Sequence, residues 1–228
     1  MNGTRDFLST RALCILSGIS GIVGVLLIGS SFSINTGPPP GATAAEIATF
    51  GRQHFHAVMQ GAWLQAVGPW LIIFFALALV RLAGATRRLS GLMTIFGAGV
   101  LMMVSLTEVV FYIAALFSDP ATLGLVSNQI AHAVQHLYFM VAAPALFVPL
   151  GFVVLGSRVL PRIFGYLALL LGAAFFILGL TSLDVLILSS SVTSLAAIQA
   201  LWWFAAAIAL MIRSGKIVDA TRVQEGEA

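Results

Sequence analysis

Six apolar runs, at 12–34, 58–81, 89–117, 131–156, 163–187 and 195–212, leave this chain one kind of fold. They have the length, ~20 residues, that a helix needs to cross ~30 Å of hydrocarbon. None alternates with period two, and an open sheet cannot satisfy its backbone in lipid, so the runs read as helices. Only 8% of the residues are charged and 60% are hydrophobic, where a soluble domain carries roughly 25% charged residues. So few charges cannot cover a water-facing surface. The expected fold is all-α: a polytopic, six-transmembrane-helix bundle that takes up 1–228 as a single integral membrane domain.

The basic residues give the bundle a direction. Arg5 and Arg11 precede the first run, and Arg81, Arg87 and Arg88 lie between the second and third. Arg158 and Arg162 separate the fourth and fifth, and Arg213, Lys216 and Arg222 follow the sixth; of the 11 Lys and Arg residues, Arg52 alone is on the other side. The positive-inside rule then predicts cytoplasmic N- and C-termini in an inner or plasma membrane. The net charge of +3 does not point to nucleic acid, because no clustered basic face with interleaved aromatics accompanies it. The partner implied is the lipid bilayer, and the sequence leaves open a homo-oligomer or a membrane-complex partner.

The outer segment, about 35–57, opens with Asn35-Thr36-Gly37 and three prolines, then reads Thr43-Ala44-Ala45-Glu46. That spacing is a capping box, so a short helix is expected from Ala44, with Glu46 as its cap rather than a catalytic acid. Ala42-Thr43-Ala44 has the form of a signal-peptidase site but lies well past the apolar stretch, so the first helix is expected to stay uncleaved. The polar tail at 214–228 is expected to fray. Cys14, the only cysteine, reads as a small core residue.

The chemistry-bearing residues are in register. His56-Ala57-Val58 opens the second run and His132-Ala133-Val134 the fourth, and Glu108 and Asp184 stand at the same offset of 76 (132 − 56 and 184 − 108). Pro69 and Pro144 follow the two histidines at similar distances, which suggests a duplicated helix hairpin, spans 2–3 and 4–5. Helix rise puts His56 and His132 about 37–39 Å from the inner arginines and the two carboxylates roughly 30–33 Å from them. All four therefore fall in the outer leaflet, where a charged group inside a span asks for a function.

His132 and His136, four residues apart, share a helix face at metal-ligand spacing. With His56 they are the expected ligands, Glu108 and Asp184 the ligands or outer partners, and His54, Gln60 and Gln135 the supporting polar groups. Such a donor set suits Zn, Fe, Mn or Cu, or a haem b with histidines as axial ligands. The leading expectation is thus a metal or haem site with an electron-transfer or metal-dependent role. Two alternatives stand beside it. One is a small proton-coupled transporter using Glu108 and Asp184, although the spans below Gln65 are almost wholly apolar. The other is a non-catalytic membrane subunit in which histidines and acids merely pair. An ionised Glu108 needs a partner, and His132 or His136 is the expected one. Ser105 is expected to bond to backbone. No phosphate loop, nucleophile elbow or CxxC is present.

Overall fold

The computed structural model describes residues 9–38, 41–117, 124–181 and 185–226. Helices α1 (Thr10–Ile34), α2 (Ala44–Gln53), α3 (Phe55–Leu82) and α4 (Leu89–Phe117) lead into α5 (Leu125–Leu137). A π-helical turn, Tyr138–Ala142, joins α5 to α6 (Ala143–Leu155), and α7 (Arg162–Thr181) and α8 (Val185–Gly226) complete the chain. Among the described residues, 6 helical segments are long and apolar enough to span a membrane. The protein is a six-helix multi-pass membrane bundle. The α5–π–α6 segment counts as one span, Leu125–Leu155, and the sixth lies at Thr193–Val218 inside α8.

The α2 helix starts where the capping box places it. Thr43 accepts from the Glu46 N–H, and the Glu46 carboxylate accepts from the Thr43 N–H at 2.7 Å and its hydroxyl at 2.9 Å. The tail differs from expectation: α8 continues as helix through Gly226 instead of fraying after Ser214. The described part of the fifth span is Arg162–Thr181.

Neighbouring helices follow one another around the bundle. α1 packs between α3 and α8, α4 between α3 and the α5–α6 span, and α7 against α6. In lipid, helices gain little from hydrophobicity, so close backbone approach carries the packing. A Cβ on Gly24 would lie 2.8 Å from the Gly68 carbonyl oxygen, and one on Gly68 3.0 Å from that of Gly24. The α6–α7 crossing repeats this device with Gly151 and Gly165, at 2.9 and 3.0 Å. The half nearer the arginine turns is closed by Phe75, Leu79, Phe147, Leu150, Trp203 and Leu210, all buried.

The prolines shape the other half. Pro144 has no N–H to give the Met140 carbonyl, and its ring crowds that oxygen. The chain widens by one residue just before it: the Ala143 N–H bonds to Tyr138 O, five residues back. This turn faces Tyr138 toward α8, where its hydroxyl donates to Gln199 Oε1 at 2.6 Å.

Candidate functional site

Pro69 in the middle of α3 also lacks an N–H, which leaves the Gln65 carbonyl without its usual helical donor. Both residues are buried. A buried carbonyl left unpaired costs about 1–3 kcal/mol. The donor comes from the neighbouring helix: Ser105 Oγ on α4 gives its hydrogen to Gln65 O at 3.0 Å. Ser105 therefore does bond to backbone, but that of α3 rather than of its own helix.

Three residues after Ser105, and so on the same face of α4, stands Glu108. It is 7% exposed, and its carboxylate meets the side chains of Gln65, Tyr112 and Gln135. Gln135 on α5 donates through Nε2 to Glu108 Oε1 at 2.7 Å and to the Tyr112 hydroxyl oxygen at 2.6 Å. Tyr112, one helical turn beyond Glu108, turns its hydroxyl to the same carboxylate. One acid thus ties three helices, α3, α4 and α5, through neutral hydrogen-bonding groups.

His132 is the outermost link. Its Nδ1 lies 3.4 Å from Gln135 Oε1, a long bond in which a protonated Nδ1 donates to the amide oxygen. The ring is exposed, yet close enough for its charge to act on Glu108. The groups that hold Glu108 directly are amides and a phenol, not the expected imidazoles.

The remaining candidates sit elsewhere. His56 is exposed, with its ring edge-on to Phe55 at 5.6 Å, and His54 is exposed against Phe50 at 4.6 Å. Gln60 is exposed and His136 half-buried. Asp184 lies outside the described residues. Among the described residues, no three His, Cys, Asp or Glu side chains come together as a group able to hold a metal ion.

Gln65 and Tyr112 are the site residues that the sequence-based expectation leaves out of the site, and Ser105 is expected there only as a backbone partner. Their signals are nevertheless present. Gln65 precedes Pro69 by four residues, and Ser105, Glu108 and Tyr112 follow the spacing i, i+3, i+7 that makes one helix face.

Above the cluster, toward the α2 side, lies a cavity of about 30 Å³. Tyr112, Ala115 and Leu116 of α4 form one wall, Ile47, Phe50 and Gly51 of α2 another. Comparison with known proteins brings no relative: the chain matches no protein family, no curated protein and no solved structure.

Proposed function

We propose that this membrane protein works as a small proton-coupled carrier in which Glu108 takes up and releases the coupling proton. The observation that supports this is the setting of Glu108, a buried carboxyl inside a span whose hydrogen-bond partners among the described residues are all uncharged side chains. A charge at that depth is costly unless paired or used. Among the described residues, the titratable groups facing it are Tyr112 on its own helix and His132 from α5; α3 presents the Gln65 amide, and α6 has no titratable residue.

Protonation changes what the cluster can satisfy. An ionised Glu108 only accepts hydrogen bonds, whereas a protonated one must also donate. Gln65 or Gln135 then has to present its amide oxygen instead of its nitrogen. Because the two amides sit on different helices, the proton alters the contacts of α4 with α3 or α5. The π-helical turn that follows α5 is a place where such a shift can be absorbed. His132, linked to Gln135 and exposed, suits the role of collecting the proton at the surface. With the arginine turns cytoplasmic, as the charge distribution argues, Glu108 loads from the outer face.

Infrared difference spectra of the reconstituted protein across a pH titration test the reading. A protonated-carboxyl band that disappears in Glu108→Gln is expected, together with loss of proton-coupled flux in proteoliposomes. A titration unchanged by the substitution overturns the proposal. The same sample checks the metal and haem reading: a Soret band or stoichiometric metal, lost in His132→Ala, would move the working site to the histidines.

A further inference from the structure

We propose that the cavity beneath α2 is a port through which water-sized species reach Glu108, and that α2 is its cover. The proposal rests on the proton reading for what passes, but not for the port itself. The cavity of about 30 Å³ has room for two or three waters, at the roughly 10–15 Å³ that one water needs. Its lining includes Tyr112, whose hydroxyl turns to the Glu108 carboxylate, so the cavity is one side chain away from the acid. Asn35 and Asn128 are its other polar members; the rest of the wall is largely carbon. Water hydrogen-bonded to the Tyr112 oxygen can hand over a proton while Tyr112 passes its own to Glu108, leaving the phenol neutral. A cavity of this size admits water and the proton it carries, and excludes a hydrated metal cation or an organic solute.

The α2 helix is built as a detachable cover. Among the described residues its main contacts are with α3 and α4, and Ile47 is its one buried residue. Gly37 and Gly41 on its N-terminal side both take positive φ, 71° and 77°, where a side chain would be strained. Gly51 lets α2 lie close to α4: a Cβ there would come within 3.2 Å of Leu116 Cδ2. A larger residue at 51 should lift the helix without touching Glu108 or its partners.

The test uses full-length protein carrying Cys14→Ala and Ala115→Cys, and a charged methanethiosulfonate reagent that is larger than water. The thiol introduced at 115 is expected to react slowly, and at least about tenfold faster once Gly51→Leu is added. Ile47→Ala, which removes the buried anchor of α2, is the second variant should Gly51→Leu fail to fold. Rapid modification without either change, or equal rates with and without both, overturns the port. The Glu108 carboxyl band is read in the same proteins. If the band is missing while the thiol remains gated, the port stands and the proton reading falls.

Discussion

At the end of the bundle away from the arginine turns, two seams between helices are built in opposite ways. The seam of α3, α4 and α5 is tied by Gln65, Ser105, Glu108, Tyr112 and Gln135. Along α7 and α8, the described hydrogen bonds lie nearer the arginine turns, where Trp202 Nε1 donates to Phe164 O at 3.0 Å and Arg213 Nε to Val159 O, in the turn before α7, at 3.2 Å. Above that the seam opens into a cleft of about 440 Å³ lined by Ala174, Ile177, Leu178, Thr181, Ser194, Leu195 and Ile198. In lipid, apolar contact alone gives helices little reason to close, since hydrocarbon tails serve as well. The difference teaches that at this end of the bundle the closed seam is the one with a buried polar cluster, whereas close backbone approach closes α1–α3 and α6–α7.

The comparison breaks first at Glu108. Glu108→Leu removes the acceptor that Gln65, Tyr112 and Gln135 share and leaves buried donors unpaired, each costing about 1–3 kcal/mol. A loss on the order of 3 kcal/mol or more is expected in denaturation of the detergent-solubilised protein. Glu108→Gln, which keeps shape and one oxygen, should lose much less. Equal stability of Glu108→Leu and the parent would mean that the polar cluster does not hold this seam.

A double-mutant cycle sharpens the same point. Ser105→Ala should cost about 1–2 kcal/mol, because it strands the Gln65 carbonyl. In a Pro69→Ala background residue 69 regains its N–H, the carbonyl has a helical donor, and Ser105→Ala should cost little. Coupling near zero between the two sites would show that Ser105 does not answer the proline.

This pairing also shows what the sequence made legible. The six spans, the capped α2 and the level of Glu108 follow from hydropathy, Thr43–Glu46 spacing and helix rise, which are local quantities. The partners of Glu108 do not, because the facing of a helix in lipid depends on its neighbours. The offset of 76 drew attention to His56 and His132, but both rings are exposed. Gln135 and Gln65 have no polar counterpart at that offset: the matching positions are Met59 (135 − 76) and Val141 (65 + 76). The offset therefore points to Glu108, which has Asp184 as its counterpart, but not to the amides that hold it. Gln65 is instead marked by Pro69, four residues on, whose missing N–H strands the Gln65 carbonyl that Ser105 answers.

The open seam should respond more weakly. Ala174→Leu adds apolar volume to the α7–α8 cleft without displacing a packed neighbour, so its effect on stability is expected within about 1 kcal/mol. A large destabilisation would indicate that the cleft closes in the membrane and that the two seams are alike there.

The smallest expected effect tests the edge of the closed seam, where α2 covers the Tyr112 side. Hydrogen bonds from the Thr43 backbone and hydroxyl hold the exposed Glu46 carboxyl below its ordinary value of 4.5. A folded-state value below the unfolded one means that this contribution to α2 is fully present above about 4.5 and is lost as pH falls through the lowered value. Acid should therefore loosen the start of α2, and Glu46→Gln should remove that pH dependence while leaving α2 slightly less firmly capped at neutral pH. Amide exchange of Ile47, whose N–H bonds to Thr43 O at 2.9 Å, reports it directly. Loss of protection, relative to the intrinsic exchange rate at each pH, as acid protonates Glu46 in the parent but not in Glu46→Gln is the expected pattern. Identical acid profiles would show that the cap does not fasten α2, and the helix would then owe its place over Tyr112 to Ile47 and the Gly51–Leu116 approach alone.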